Sequence, residues 1–281
     1  MVIIMNIIKY CLILIVLVTT LHTHLYAHQA NKTILITAST GAFGESISTL
    51  LASEGYNLVI AGRNSNKLTT LQKKLQTKHK DVSVQTVIID FSNVESIEAA
   101  ANQVQQLHGI VLIGPRPSLK KEDIPSKEEW NKAFNETFIN PLEVLRHFNP
   151  KIADKSSIVI ISGNTSKNYF PQFPNTNVIR VAWVAEVKNL IYFFTKRHIR
   201  VNLVSPGIIL TEHHKKVIQQ KAITNNISFK EQLTREVSSI PLKTYGTTED
   251  VAQLVSFLLS NKSKHLNGAN ITLDGGEATS Y

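Results

Sequence analysis

Three polar residues have the types and spacing to hold a small polar ligand. Ser162 ends the apolar run Ile-Val-Ile-Ile at 158–161, and Thr176 and Arg180 stand four residues apart further along the chain. A serine hydroxyl can hold a polar oxygen, and arginine carries a permanent charge that binds an anion or sugar hydroxyls. Neither threonine nor arginine donates a proton at neutral pH. These residues predict ligand binding without an evident proton donor.

A second pair has the spacing expected of an acid and its activator. Tyr192 and Lys196 form a Tyr-x-x-x-Lys pattern, in which a lysine can lower the pKa of a phenol four residues before it. The pair lies at the end of a long helical pattern, sixteen residues after Thr176. At the helical rise this is a displacement of roughly 24 Å. We therefore expect Tyr192 to lie too far from Thr176 and Arg180 to act as an acid at their site, despite its pattern with Lys196.

A turn of small residues predicts a phosphate site. Thr-Ala-Ser-Thr-Gly-Ala-Phe-Gly at 37–44 follows the first apolar run and leads into a helical pattern. Small side chains let backbone N–H groups approach a pyrophosphate at a helix N-terminus, although such turns also serve close packing alone. The predicted cofactor-binding residues of this turn are Thr37, Ser39, Thr40, Phe43 and Gly44.

The end of the second apolar run indicates which dinucleotide is bound. Arg63 and Asn64 stand where an NAD-selective protein carries an acidic residue for the ribose hydroxyls. A guanidinium there can pair with a 2′-phosphate instead. NADP(H) is therefore predicted over NAD(H), with a solvated loop arginine as the alternative interpretation.

Two further motifs identify a family. Ile-Arg-Val-Asn-Leu-Val-Ser-Pro-Gly at 199–207 and Asn-Gly-Ala-Asn-Ile-Thr-Leu-Asp-Gly-Gly at 267–276 accompany the turn at 37–44. With these three motifs the chain resembles the short-chain dehydrogenase/reductase family, as a divergent member similar to the 3-oxoacyl reductases. The resemblance extends from about residue 28 to the C-terminus.

The resemblance implies further cofactor contacts. Asp90 and Phe91 would lie at the adenine, and Gly114 would let the backbone approach a ribose. The string Pro-Gly-Ile-Ile-Leu-Thr at 206–211 matches a family motif that contacts the nicotinamide carboxamide. Its residues implied in binding are Pro206, Gly207, Ile209 and Thr211.

The same resemblance implies an altered catalytic centre. The family's serine, tyrosine and lysine fall on Gly163, Thr176 and Arg180, and its helical asparagine falls on Thr137, so none is retained. The pattern resembles a divergent subgroup in which Ser-Asn-x-x-Arg replaces Tyr-x-x-x-Lys. Ser162, next to the serine position, could supply a hydroxyl if the strand end is bulged. Ser162, Thr176 and Arg180 are thus the candidate catalytic residues, and no metal site is predicted.

Alternating element types must position these residues. Strand-like runs at 33–38, 57–61, 83–89, 110–113, 158–162, 200–204 and 270–273 are separated by helix-length stretches. This alternation predicts one α/β domain over 28–281, a doubly wound parallel sheet of the Rossmann type. Ligands bind beyond the carboxyl ends of such strands, so 114–126 and 211–241 are expected to border the site.

The first residues differ in kind from the rest. The segment 1–21 is almost wholly apolar around Lys9, and the sequence at 25–27 resembles a cleavage site. Residues 1–27 are therefore predicted to be a signal peptide or a membrane anchor, with an exported protein in either case. If the start site is wrongly assigned, the protein is cytoplasmic. The single cysteine, Cys11, lies within this segment.

Charge and family together leave two functions open. The formal net charge of +9 is spread over helical patterns without interleaved aromatic residues, which favours a solvated surface and no nucleic-acid partner. The first hypothesis is an oxidoreductase acting on a small carbonyl or hydroxyl substrate. The second is a catalytically inactive binding or regulatory protein. By resemblance, a homodimer or homotetramer is expected through 129–148 and 177–196.

Overall fold

The apolar runs of the sequence form seven strands of one parallel sheet. The computed structural model describes residues 32–116 and 124–280. The strands are β1 Thr33–Ile36, β2 Asn57–Gly62, β3 Val84–Ile88, β4 Leu107–Ile113, β5 Ile152–Ile161, β6 Arg200–Pro206 and β7 Asn270–Leu273. Their order in the sheet is β3-β2-β1-β4-β5-β6-β7, and every neighbouring pair is parallel. The predicted doubly wound α/β domain is confirmed.

Helices cover both faces of this sheet. They are α1 Ala42–Ser53, α2 Ser65–Lys78, α3 Val94–Gln103, α4 Lys127–Phe134, α5 Asn140–Phe148, α6 Pro174–Phe193, α7 Glu212–Thr224, α8 Phe229–Val237 and α9 Thr248–Leu259. Apolar side chains of α1, α2 and α9 pack with one face of the sheet, and those of α3, α5 and α6 pack with the other. The strands are buried on both faces, which explains their near-continuous valine, isoleucine and leucine.

The strand order reverses between β1 and β4, and this places a crevice at their carboxyl ends. β1 ends at Ile36, two residues earlier than the sequence predicts, because the chain turns at Thr37 and Ala38 takes a φ of 47°. β5 begins at Ile152, earlier than predicted, so only its last part continues the apolar run. The turn after β1 and the exit of β5 therefore open at one edge of the sheet.

Some predictions fall on residues that the structure does not describe. The predicted leader at 1–27 and the middle of the predicted irregular stretch at 114–126 lie outside the described residues. Within 32–116 and 124–280, no helix has the length and apolar character to cross a membrane.

Candidate active site

The turn between β1 and α1 is built around one glycine. A Cβ on Gly44 would lie 2.4 Å from the carbonyl oxygen of Ala38 and 2.5 Å from the Cα of Ser39. Both contacts are far inside the van der Waals limit, so only glycine lets α1 start directly on the turn. Ala38 occupies the left-handed region, which is unfavourable for alanine.

Two buried hydroxyls hold this turn to its neighbours. The Thr37 hydroxyl donates to the carbonyl of Ile113 at 2.9 Å and accepts the Ile113 N–H at 2.7 Å. The Ser39 hydroxyl donates to the carbonyl of Ile36 at 2.5 Å and accepts the Ala61 N–H at 3.0 Å. Both side chains therefore fix the shape of the turn, joining the end of β1 to the ends of β4 and β2.

The N-terminus of α1 is open to an anion. Its N-cap, Gly41, offers no side-chain acceptor, and the first N–H groups of a helix have no partner within the helix. Glu45 in the first turn would repel a phosphate, but its carboxylate is paired with Lys74 at 2.8 Å. The backbone of this turn fits a dinucleotide phosphate.

The end of β2 adjoins this turn and carries an unpaired cation. The Thr40 hydroxyl lies 3.7 Å from where a Cβ on Gly62 would stand. Arg63 is exposed, and over 32–116 and 124–280 it has no ion pair. Asn64 accepts the Lys67 N–H at 3.0 Å and so caps α2. The site presents a positive charge and no carboxylate at this position in the chain.

Asp90 and Phe91 shape the loop after β3. The N–H and the hydroxyl of Ser92 donate to Asp90 at 3.0 and 2.7 Å. These bonds, and to a smaller extent the charge of Arg63, hold the pKa of Asp90 below its usual range. The carbonyl of Phe91 accepts the side-chain amide of Asn140 at 2.6 Å, which ties this loop to α5.

The segment after β6 is held by close backbone packing. A Cβ on Gly207, which follows Pro206 at the end of β6, would lie 2.7 Å from the Cβ of Asp274, so the C-terminal loop requires glycine there. Ile209 is buried and packs on Gly246, where a Cβ would approach the Ile209 Cδ1 to 2.5 Å. Thr211 caps α7 by accepting the His214 N–H at 3.1 Å. This segment is rigidly placed beside the exit of β6.

A pocket lies between the carboxyl ends of β4 and β5 and the start of α6. Its walls are mostly apolar and it contains one charged side chain. The lining residues are Leu112, Gly114, Pro115, Thr137, Ile160, Ile161, Ile179, Arg180 and Trp183. Gly114 and Arg180, two residues predicted for the site, are thus brought together.

Arg180 carries its charge into this pocket without a counter-ion. Among the described residues, no carboxylate pairs with it and no hydrogen-bond acceptor reaches its guanidinium. Burial lowers the pKa of Arg180 to about 10, and the charge of Arg116 adds to the effect. A buried charge of this kind is costly unless a ligand or solvent neutralises it.

Ser162 lies beside the pocket with an unused hydroxyl. Its N–H donates to the carbonyl of Val204 at 2.7 Å, and the pairing of β5 with β6 runs without a break from Ser157 to Ile161. The strand end is therefore not bulged. The buried hydroxyl oxygen of Ser162 has no hydrogen-bond partner, and the same holds for Thr165 Oγ1 in the connection to α6 and for Asn175 Oδ1 in the first turn of α6.

Thr176 and Tyr192 lie at opposite ends of α6. Thr176 is buried in the first turn, where Asn177 accepts the Phe170 N–H at 3.4 Å and donates its amide to the Phe170 carbonyl at 2.8 Å. Tyr192 is 78% exposed in the last turn. No phenol lines the pocket among the described residues.

The structure also brings in three residues that sequence analysis missed. Asn164 donates its amide to Glu277 at 2.6 Å across 113 residues of chain. Burial, with the charge of Asp274, raises the pKa of Glu277, and its Oε2 lies 3.4 Å from a Cβ placed on Gly207. No local pattern signals this pair, because nothing near either residue in sequence indicates the other.

Trp183 is the third such residue. Its indole N–H donates to the carbonyl of Thr137 at 3.0 Å. Thr137 lies in a π-helical turn, Asn135–Ile139, between α4 and α5, and its hydroxyl donates to the Ala133 carbonyl at 2.5 Å. The tryptophan thus closes the pocket against the adjoining helix.

Comparison with known proteins identifies the family. The sequence profile described as enoyl-(acyl carrier protein) reductase matches residues 37–277. This chain belongs to the short-chain dehydrogenase/reductase family. Dehydrogenase/reductase SDR family member 4 of Rattus norvegicus is 28% identical to this chain over 255 residues, covering 88% of this chain and 87% of the relative. The NADPH-dependent reductase BacG of Bacillus subtilis is 23% identical over 258 residues, covering 90% of this chain and 100% of BacG.

A solved structure of the same fold has an unusual centre. The NADPH-bound short-chain oxidoreductase of Pseudomonas aeruginosa, described as containing an atypical catalytic center, superposes with a TM-score of 0.81 at 18% identity. The match covers 90% of this chain and 98% of that one. The likeness establishes the shared short-chain dehydrogenase/reductase fold.

Proposed function

We propose that this family member is an NADP(H)-dependent oxidoreductase acting on a small carbonyl or hydroxyl substrate. The observation that carries the proposal is the open N-terminus of α1 over Gly44, beside Arg63, which forms no ion pair with the described residues. Phosphates favour such helix N-termini, and a guanidinium favours a 2′-phosphate over a free hydroxyl. The nicotinamide ring, when bound, supplies or accepts a hydride.

The chain's own residues would hold the cofactor from the carboxyl edge of the sheet. The turn at 37–44 offers backbone N–H groups, Arg63 and Asn64 lie at the adenosine end, and Asp90 and Phe91 border the adenine. Gly114 and the segment from Pro206 to Thr211 border the nicotinamide end. Relatives named for NADPH support the cofactor preference.

The active centre we propose is the pocket around Arg180. Gly163, Thr176 and Arg180 take the places of the family's serine, tyrosine and lysine, so Arg180 orients a ligand while the proton comes from water. The superposable oxidoreductase with an atypical catalytic center supports this assignment. Because general acid catalysis contributes roughly 10² to 10⁴-fold, turnover of ordinary ketones is expected to be weak.

A second candidate function is a non-catalytic binding protein. The composition of the pocket favours it, since Arg180 is the single ionisable residue in the lining and carries no transferable proton at neutral pH. Occupancy by a cofactor or ligand would then stabilise a surface for another protein.

Titration of the purified chain with NADPH and NADH, followed by a carbonyl-substrate screen, distinguishes these two functions. Tight NADPH binding with turnover in a carbonyl-substrate screen supports the oxidoreductase, and NADPH binding without any turnover supports the binding protein. Failure of both nucleotides to bind at millimolar concentration would end the oxidoreductase proposal and leave only a binding protein for another ligand.

Assembly and location are also proposed from family likeness. Ile139, Val178 and Val181 are exposed apolar side chains on the helical segments 129–148 and 177–196, which supports a homodimer or homotetramer through these segments. Export, with a cleaved leader or a tether through residues 1–21, rests on the sequence pattern alone.

A further inference from the structure

The strongest unexplained feature of the molecule is the cation inside its pocket. Arg180 has no ionic partner among residues 32–116 and 124–280, and the surfaces around it are Leu112, Ile160 and Ile179. Guanidinium groups in half-buried, mostly apolar surroundings ordinarily pair with a carboxylate or phosphate. Within the described residues, the chain supplies no such group at this place.

A second cation strengthens the positive potential at the same opening. Arg116 is exposed directly after Pro115, which lines the pocket, and its charge acts on both Arg180 and His214. No carboxylate is paired with Arg116 in the described part of the chain. Two like charges held together without a counter-ion are mutually destabilising, and a shared anion relieves both.

Gly163 presents no side chain to the guanidinium on the strand side. A Cβ at this position would lie 3.4 Å from Arg180 Cζ and 3.6 Å from its Nε and Nη1. With no side chain there, space remains beside the guanidinium at the exit of β5. The neighbouring Ser162 hydroxyl and Asn175 side-chain oxygen are buried and unpartnered, so the end of β5 and the first turn of α6 also have unused polar capacity.

We propose that this pocket binds the anionic end, carboxylate or phosphate, of an oxo-group substrate through Arg180, with Arg116 at the mouth. That the ligand is a substrate rests on the function proposed above, whereas the anion site stands on its own contacts. Ribose hydroxyls are a poorer fit for Arg180, because neutral groups leave the buried charge uncompensated. Charge-assisted, bidentate pairing with an oxyanion satisfies it.

Fluorescence of Trp183 provides the test, because this indole lines the same pocket. In a Trp130→Phe background Trp183 is the single tryptophan, since the chain has two. The protein is titrated with levulinate, with dihydroxyacetone phosphate, and with 2,5-hexanedione as the uncharged match for levulinate. At least one anion is expected to bind about tenfold or more tightly than the dione.

Variants assign the preference to the arginine. Arg180→Met should bring the anions and the dione to equal affinity, and Arg180→Lys should retain part of the preference. Arg235→Met, on the exposed surface of α8, is the matched control and should change nothing. Arg180→Met should melt at the same temperature as the parent or higher, because it removes an uncompensated charge. Equal binding of anions and dione by the parent protein would overturn the proposal.

The outcomes separate this inference from the proposed function. NADPH affinity is measured in parallel through the fluorescence of the nucleotide. Anion selectivity without NADPH binding would support the anion site and refute the proposed oxidoreductase. NADPH binding without anion selectivity would refute the anion site and support the proposed oxidoreductase. Loss of NADPH affinity in Arg180→Met, with anion selectivity unchanged, would assign Arg180 to the cofactor and overturn the inference. Selectivity between the two anions identifies the charged group.

Discussion

Arg180 and Gly163 face each other so closely that each limits the other. A Cβ added to Gly163 would be 3.4 Å from the Cζ of Arg180, at the edge of ordinary van der Waals contact. The hydroxyl of a serine at position 163 would therefore contact the guanidinium. A lysine at position 180 is narrower than arginine and would leave more room for that hydroxyl. The two positions are expected to change together.

The first prediction rebuilds a proton donor on this relationship. Combining Gly163→Ser, Thr176→Tyr and Arg180→Lys should raise NADPH-dependent turnover of simple ketones or diketones. General acid catalysis supplies roughly 10² to 10⁴-fold, and a phenol near a lysine restores it. Steady-state rates of NADPH oxidation provide the measurement.

Tyr192→Phe is the control for that experiment. Tyr192 is exposed in the last turn of α6, far from the pocket, so the substitution should leave turnover unchanged. If the parent protein turns over briskly and loses that activity in Tyr192→Phe, the assigned register is wrong.

The second prediction concerns cofactor choice. NADPH should bind more tightly than NADH, and Arg63→Ala should remove most of the difference. A hydrogen bond to a charged group contributes about 1.5 to 3 kcal/mol, which corresponds to roughly 10 to 100-fold in affinity. Calorimetric titration measures both nucleotides. Arg235→Ala, a distant exposed arginine, should keep the preference, and equal affinities in the parent would contradict the prediction.

The third prediction tests the turn around Gly44. Gly44→Ala should destabilise the fold by about 1 to 3 kcal/mol, because its Cβ would overlap the backbone of Ala38 and Ser39. Ala38→Gly should stabilise it by about 1 kcal/mol, since glycine tolerates the φ of 47°. Urea unfolding gives both values. Gly62→Ala is the matched control, because its Cβ would meet nothing closer than 3.7 Å.

The fourth prediction is a pH dependence of stability. Burial and the charge of Asp274 raise the pKa of Glu277, so the folded chain binds its proton more tightly than the unfolded chain. This stabilising contribution is complete below the unfolded pKa and is lost as the pH rises through the folded value. Glu277→Gln should therefore gain melting temperature relative to the parent as the pH rises from mildly acidic to neutral.

Asn164 keeps an acceptor in that variant, because the glutamine amide oxygen replaces the carboxylate. The exposed Glu98→Gln on α3 provides the comparison and should show no such pH-dependent gain. A difference that stays flat or reverses over the same range would show that Glu277 does not titrate as described.

The fifth prediction concerns the leader. The chain isolated from its native host should lack its first 27 or so residues, because Lys9, the apolar run and Ala27 are arranged as a processing signal. Intact-mass measurement decides this. A full-length chain in the soluble cytosolic fraction would rule out both the cleaved leader and the membrane anchor.

Periodicity was sufficient to predict the sheet, because buried parallel strands require apolar residues on both faces. The runs around Leu35, Ile60 and Ile160 therefore stand out in the sequence. Strand ends were less predictable. Ala38 continues the apolar run of β1 in the sequence, yet the chain has already turned there. An alanine side chain gives no indication that its residue has a positive φ.

The site was predictable only where local sequence determines local contacts. The role of Gly44 was predictable, because a strand-to-helix turn of this kind needs small residues. The hydrogen bonds between Thr37 and Ile113 were not predictable, since these residues are 76 positions apart. Asn164 with Glu277 and Trp183 with Thr137 are likewise long-range pairs. The lack of a carboxylate beside Arg180 among the described residues could not be predicted, because it depends on where the fold places residues that are distant in sequence.

The packing of Asp274 on Gly207, together with the bond from Asn164 to Glu277, bears on the order of events during synthesis. Both contacts use residues that follow all seven strands along the chain, so the first six strands can assemble while one wall of the site is still missing. Domains begin to fold while the ribosome is still extending them. The contacts of Asp274 and Glu277 can therefore form only once residue 277 has been synthesised, after the residues of all seven strands.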